Sequence, residues 1–154
     1  LNREELLIAI NDSEYIPGMK KFGASDEEIS NIRLRDREAQ GVTAEEERLA
    51  EISIIENKEE SEDIIIVKSF SPKFSPICDR LFPYTRLLIY TDSEWTFYGA
   101  GKNELEDMLG EDITTGKIYH GGGDRGYIGA VRNAFTVKEI QDFVSLIKQK
   151  YGRI

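Results

Sequence analysis

The stretch TRLLIYTDSEWTFYG, residues 85–99, decides the class of this fold. β-branched and aromatic residues fill both of its halves, and Asp92 and Ser93 between them are residues that favour turns. The stretch therefore predicts a β-hairpin, whose two strands pair in the antiparallel sense.

Further strands and short helices are predicted on both sides of this hairpin. The preceding DIIIVKSF, residues 63–70, is short and β-branched, as a buried strand is. Pro76 is expected in the first turn of a short helix that Pro83 ends. After the hairpin, KIYH at 117–120 and YIGAVRNAF at 127–135 predict two strands that flank a glycine-rich loop. The sheet therefore has about five strands.

Helix starts are predicted by the capping box, in which an N-cap side chain and an acid three residues later satisfy free backbone N–H groups. Five stretches match it: Asn2–Glu5, Ser25–Glu28, Thr43–Glu46, Asn103–Glu106 and Thr136–Glu139. The last precedes a helix whose apolar residues recur at helical spacing, so we expect it to pack on the sheet. These residues are Ile140, Phe143, Val144, Ile147 and Tyr151.

The first part of the chain is predicted to be helical. The first helix is expected to stop near Asn11, before a turn at Pro17 and Gly18. A second helix is expected to end at Gly41, a residue type common after helix ends. A third helix is favoured through Ile52–Ile55, although those residues also fit a strand.

We therefore expect an α+β fold. N-terminal acidic helices precede a mainly antiparallel sheet of about five strands, with the long C-terminal amphipathic helix packed on it. The polar stretch ENKEESED, residues 56–63, is the best candidate boundary. It gives an acidic helical region at 1–63 and an α+β domain at 64–154, unless both belong to one continuous globular domain.

Negative charge is concentrated in the first of these parts. Residues 1–63 hold 18 acidic and 8 basic residues, a net charge of −10, while the whole chain carries −9. Such a surface disfavours direct binding of nucleic acid and attracts a basic protein, although charged runs are also ordinary solvated surface. The acids expected to face a partner are Glu45, Glu46, Glu47, Glu59, Glu60, Glu62 and Asp63.

Composition excludes several kinds of site and location. No apolar run approaches membrane-spanning length, so no membrane partner is expected. One cysteine and one histidine allow neither an intrachain disulfide nor a cysteine-based or multi-histidine metal site. We therefore expect no metal or cofactor, and a reducing compartment, the cytoplasm, is the simplest location.

The loop HGGGDRGYIG, residues 120–129, is the most distinctive motif. Its glycines satisfy G-x-G-x-x-G, but a strand follows them where a dinucleotide-binding fold has a helix. The loop is either a cradle for a phosphate or an acidic group, or a flexible hairpin tip at a protein interface. Its candidate binding residues are His120, Gly121, Gly122, Gly123, Asp124, Arg125 and Tyr127.

Two other side-chain groupings are candidates. Trp95 and Phe97 share one face of their strand and Tyr98 lies on the other, so Trp95 or Tyr98 is expected to contact a protein partner if its face is exposed. Cys78 and His120, with Asp92 or Asp124, have the composition of a Cys-His-Asp constellation.

IIIVKSF, the helix after it, and LLIYTDSEWTFYG together resemble the core of restriction-endonuclease-like domains. The resemblance covers about 35 residues. Ile66 stands where that family has a metal-binding glutamate, and Lys68 stands at its lysine position. The resemblance implies at most a degenerate, inactive version of such a nuclease.

Two functions from different classes follow. The leading hypothesis is a non-catalytic protein-binding or regulatory protein, such as a small acidic, immunity-like inhibitor of a basic enzyme. The alternative is a small-ligand or phosphate-binding domain, or an enzyme, that uses the loop from His120 to Gly126.

Overall fold

The computed structural model describes residues 1–123 and 126–152. Its contacts divide the chain into two compact units, Leu1–Ala44 and Glu45–Ile154. Helices form the first unit, and helices with a six-stranded sheet form the second, so the predicted α+β class is confirmed. Within the described ranges, every helix is too short or too polar to cross a membrane.

The first unit holds two helices, α1 (Arg3–Phe22) and α2 (Asp26–Ala39). α1 does not stop near Asn11 as expected. It continues to a kink at Tyr15, whose φ is 58°, and resumes through Pro17. Proline suits this place because the first turn of a helix segment does not use its backbone N–H group. The turn predicted at Pro17 is therefore a kink two residues earlier.

A buried polar network supports this kink. The guanidinium of Arg33 donates to Asn11 at 3.2 Å and to Asp36 at 2.5 Å, and it lies 4.8 Å from the centre of the Tyr15 ring. The network fixes the α1–α2 pair because a buried guanidinium needs several hydrogen-bond partners.

The second unit contains the remaining elements. In chain order they are α3 (Ala44–Asn57), β1 (Lys58–Glu60), β2 (Ile65–Lys68), α4 (Ser75–Leu81), β3 (Arg86–Tyr90), β4 (Trp95–Gly99), α5 (Lys102–Met108), α6 (Gly110–Thr114), β5 (Ile118–Gly121), β6 (Tyr127–Ala130) and α7 (Val137–Tyr151). Helix α3 includes Ile52–Ile55, which confirms the helical interpretation of that stretch.

The strands form one sheet in the order β1-β2-β3-β4-β6-β5. The hairpin predicted at 85–99 is present as β3 and β4, with Tyr90 opposite Trp95. β2 and β3 are parallel and α4 connects them, whereas every other pair is antiparallel. A sixth strand, β1, forms within the stretch expected to be a polar loop, and charged residues are common on such edge strands.

Helices cover both faces of the sheet and make two apolar layers. On the first face α7 packs as predicted, and the ring of Phe143 stacks on Trp95 with 3.8 Å between their centres. On the second face α3 and α4 cover β2 and β3 through Ala50, Ile77 and the side chains around them. A strand residue can therefore contact only the helices that cover the face of the sheet on which its side chain lies.

Candidate functional site

Three strand ends meet at one edge of the second unit. β4 ends at Gly99, β5 ends at Gly121 and β6 begins at Tyr127. The backbone N–H of Gly99 donates to the carbonyl of Gly126 at 2.9 Å. The glycine-rich loop after His120 therefore lies beside the turn that leads from β4 into α5.

Glycine is required in this loop for two reasons. Gly122 and Gly123 have φ values of 78° and 69°, which residues with side chains rarely adopt. A Cβ atom on Gly126 would lie 2.0 Å from the carbonyl oxygen of Gly121, so only glycine fits there. Successive amides in such glycine-rich turns form concave sites for anions.

A buried lysine begins the neighbouring helix. Lys102 is 3% exposed, and its ammonium group contacts Oε1 of Glu106, one helical turn later. Lysine is almost never fully buried without a partner of opposite charge. The Lys102–Glu106 pair is therefore a fixed internal feature and not a mobile surface contact.

The other oxygen of this carboxylate reaches the histidine. Oε2 of Glu106 lies 2.9 Å from Nδ1 of His120. Lys102 is the main cause that lowers the pKa of the Glu106 carboxyl group, and His120 adds to the effect. An ionised Glu106 therefore holds the imidazole by Nδ1 and leaves Nε2 for another partner.

This arrangement corrects the interpretation of Glu106 as the acid of a capping box. α5 begins at Lys102, and Asn103, the expected N-cap, lies inside the helix. Gly101, with a φ of 96°, takes the N-cap position without a side-chain hydrogen bond. Glu106 is thereby free to bridge Lys102 and His120.

The Cys-His-Asp constellation is wrong. Cys78 is buried among the side chains of the second face of the sheet. His120 is the cross-strand partner of Ile128, which belongs to the first face. Asp92 contacts the ammonium group of Lys68 at 3.2 Å, and Asp124 lies outside the described residues, as does Arg125.

The aromatic candidates lie in different places. Trp95 is 2% exposed and stacks on Phe143, so it belongs to the core and not to an exposed recognition surface. Tyr98 is half-buried on the second face, where burial and the hydrogen-bonded Cys78 raise its pKa well above the usual value. Tyr127 is 42% exposed.

The acids expected to face a partner are largely engaged within the chain. Glu45 pairs with Arg48, three residues later on the same helix, and Glu60 pairs with Lys58, two residues before it. Over longer sequence separations, Arg80 holds Glu47, and Lys148 holds Glu59. Glu46 also has an interaction partner, while Glu62 and Asp63 are exposed between β1 and β2.

The strand–helix–strand arrangement implied by the resemblance to restriction-endonuclease-like domains is present as β2, α4 and β3. Ile66 is completely buried in the core, so no metal-binding acid occupies the glutamate position. Across residues 1–123 and 126–152, no three histidine, cysteine or acidic side chains cluster as metal ligands.

Comparison with known proteins assigns the chain to no family. No protein-family model matches the sequence, and no curated protein matches it. The Lys102–Glu106–His120 network lies beside the glycine-rich loop.

Proposed function

We propose that this protein binds a small anionic ligand, a phosphate or carboxylate group, at the loop that follows His120. The observation that carries the proposal is the contact between Glu106 and His120, held in place by the buried Lys102. A side chain fixed by two further charged groups is the kind of preorganised group that binding sites use. The glycine-rich loop beside it offers backbone amides to the same anion.

Each group has a distinct role in the proposed site. The N–H groups around Gly122 and Gly123 contact the oxygens of the anion, and Nε2 of His120 contacts it as well. Arg125, two residues beyond Gly123 in the sequence, supplies a guanidinium that matches the oxygens of phosphate or carboxylate. Glu106 and Lys102 position His120 and do not contact the ligand.

Calorimetric titration with inorganic phosphate tests the proposal. Wild type should bind saturably, and His120→Ala and Arg125→Ala should each weaken binding by about tenfold, the loss expected for a charge-assisted hydrogen bond. Lys138→Ala is the matched control, because this exposed lysine on α7 pairs only with Asp142 among the described residues. Absence of saturable binding by wild type, or equal affinities in all four proteins, would overturn the proposal.

A second function, binding of a basic protein, is favoured by a different observation. A groove of about 450 Å³ lies between the β1–β2 turn and the segment before β3, and Glu60, Glu62 and Asp63 line it together with Tyr84 and Arg86. Its acids suit a basic partner, as in a regulatory protein or an immunity-like inhibitor of a basic enzyme. Glu47 and Glu59 pair with basic residues of the same chain. Among the acids predicted to face a partner, those that line this groove therefore form the main remaining acidic surface.

This second function predicts a charge-dependent interaction. Basic proteins should be retained from a lysate of the native host at low salt by wild type. They should be lost when the acids at 45–47 and 59–63 are neutralised. We place the protein in the cytoplasm, because a chain with a single cysteine cannot form an intrachain disulfide and suits a reducing compartment. Retention of the same proteins by both baits would contradict the second function.

A further inference from the structure

The groove between the β1–β2 turn and the segment before β3 has side chains of both charges on its walls. Glu62 and Asp63 contribute carboxylates to it, and Arg86 contributes a guanidinium. Its volume of about 450 Å³ lies within the range of roughly 300–1,000 Å³ that is usual for small-molecule sites. The groove is therefore large enough for a small ligand, and its walls offer partners for both signs of charge.

The guanidinium of Arg86 pairs with no carboxylate in the described part of the chain. Its Nη1 donates to the backbone carbonyl of Asp63 at 3.3 Å, and the group lies 4.3 Å from the centre of the Tyr151 ring. Its Nε is buried and has no hydrogen-bond acceptor among the described residues. Buried donors normally have an acceptor, because an unsatisfied one destabilises the fold. Arg86 is therefore a cation that still lacks an anionic partner.

The acids of the same groove do not neutralise this guanidinium. Glu62 and Asp63 are exposed, and across residues 1–123 and 126–152 neither side chain pairs with a basic one. The contact between Asp63 and Arg86 uses the backbone carbonyl of Asp63 and not its carboxylate. Opposite charges that line one groove without pairing with each other are complementary to a ligand that carries both charges.

We infer that this groove binds a free α-amino acid. The carboxylate of the ligand accepts hydrogen bonds from Arg86, and its ammonium group donates to Glu62 or Asp63. The two charged groups of an α-amino acid are one carbon apart, which suits a site whose guanidinium lies 3.3 Å from the backbone of one of the acids. Pro83 and Tyr84, which line the same groove, provide apolar contact for the side chain of the ligand.

Calorimetric titrations with leucine, leucinamide and 4-methylpentanoate test the inference. Leucinamide lacks the carboxylate and 4-methylpentanoate lacks the ammonium group, while all three compounds keep the same branched apolar chain. Wild type should bind leucine saturably. It should bind each analogue about tenfold more weakly, because each analogue lacks one charge-assisted pair.

Substitutions assign the two charges to their partners. Arg86→Met keeps an unbranched side chain without the guanidinium, so it should weaken leucine binding about tenfold and lose the preference for leucine over leucinamide. The combined variant Glu62→Gln, Asp63→Asn should lose the preference for leucine over 4-methylpentanoate. Arg132→Met is the matched control, because this exposed arginine pairs with Glu94 outside the groove.

The outcomes separate this inference from both proposed functions. Equal affinity of wild type for leucine and leucinamide overturns it, and the acids of the groove would then suit only a basic partner. Undiminished leucine binding by Arg86→Met also overturns it, because the arginine would then have only a structural role. If Arg86→Met does not fold, an unchanged preference in the Glu62→Gln, Asp63→Asn variant overturns it. Absence of saturable leucine binding by wild type overturns it whatever the result with phosphate, since the anion site after His120 is a separate place on the unit.

Discussion

Glu106 on α5 and His120 on β5 are joined through Oε2 and Nδ1 at 2.9 Å, although they are fourteen positions apart in the sequence. Glu106 in turn contacts Lys102, a lysine buried to 3% exposure. The histidine is therefore oriented by a carboxylate whose own position is set by an internal cation. This connection between a helix and the strand before a glycine-rich loop is the basis of the proposed anion site.

Replacement of Glu106 should affect both stability and binding. Glu106→Gln leaves the buried ammonium group of Lys102 without its counter-charge, so the melting temperature should fall by about 5 °C or more, as expected for broken buried pairs. Glu104→Gln, on the same helix, disrupts the exposed pair with Lys150, and its melting temperature should change by less than about 2 °C. Thermal denaturation of both variants checks this, and equal shifts would show that the Lys102–Glu106 pair is an ordinary surface pair.

Phe143 should be among the most important residues of the core. Phe143→Ala removes the ring that stacks on Trp95, and the cavity should lower the free energy of unfolding by about 3–5 kcal/mol. Leu146→Ala, on the same helix but 40% exposed, should cost less than about 1 kcal/mol. Chemical denaturation measures both. A small effect at Phe143 would mean that α7 does not pack on the sheet through this ring.

The capping box of α7 makes a separate contribution. The Thr136 hydroxyl accepts from the backbone N–H of Glu139 at 3.1 Å, and the Glu139 carboxylate accepts from that of Thr136 at 2.9 Å. Thr136→Ala should lower the free energy of unfolding by about 1 kcal/mol. Thr136→Ser keeps the hydroxyl and should restore most of that loss in the same denaturation experiment. A serine variant as unstable as the alanine variant would contradict the hydrogen-bond explanation.

Glu28 should make the first unit sensitive to acid. Hydrogen bonds from Arg3 and then from the Ser25 backbone lower the pKa of Glu28 to about 2 from an ordinary value of 4.5. A carboxyl group whose folded-state pKa is lowered stabilises the fold above the unfolded-state value, and the effect is lost as the pH falls through the folded-state value. Glu28→Gln should therefore be less stable than wild type near neutral pH, with the difference fading between pH 4.5 and about 2.

Far-UV circular dichroism during denaturation follows this difference, because both helices of the first unit contribute to the signal. Arg3→Met is the companion variant, since it removes the largest cause of the lowered pKa and keeps the capping box of Ser25 and Glu28. A gap between Glu28→Gln and wild type that stays constant down to pH 2 would contradict the assignment.

Local patterns in the sequence predicted much of the fold. The β3–β4 hairpin followed from apolar runs around Asp92 and Ser93, and α7 followed from its cap and its apolar spacing. The parallel pairing of β2 with β3 could not be predicted in the same way, because the pairing depends on how α4 crosses the sheet. β1 was missed because its three residues are charged and give no apolar alternation.

The site was only partly predictable for a related reason. His120 and its glycines stand out in the sequence, but the spacing from Asn103 to Glu106 matches a capping box and concealed the role of Glu106. Gly101, directly before Lys102, was the available signal that α5 begins two residues earlier than the capping box predicts. The burial of Trp95 could not be predicted for a different reason. Alternation along β4 shows which residues share a face of the strand, but it does not show which face is exposed to solvent.

The central claim, an anion held by the loop after His120, is tested most directly by nuclear magnetic resonance of the backbone amides during titration with inorganic phosphate. The account predicts saturable shifts of the Gly122 and Gly123 amide signals in wild type, with an equal concentration of chloride causing none. The same shifts should require a much higher phosphate concentration in His120→Ala. Unmoved Gly122 and Gly123 signals at saturating phosphate, or shifts confined to residues elsewhere in the chain, would contradict the claim.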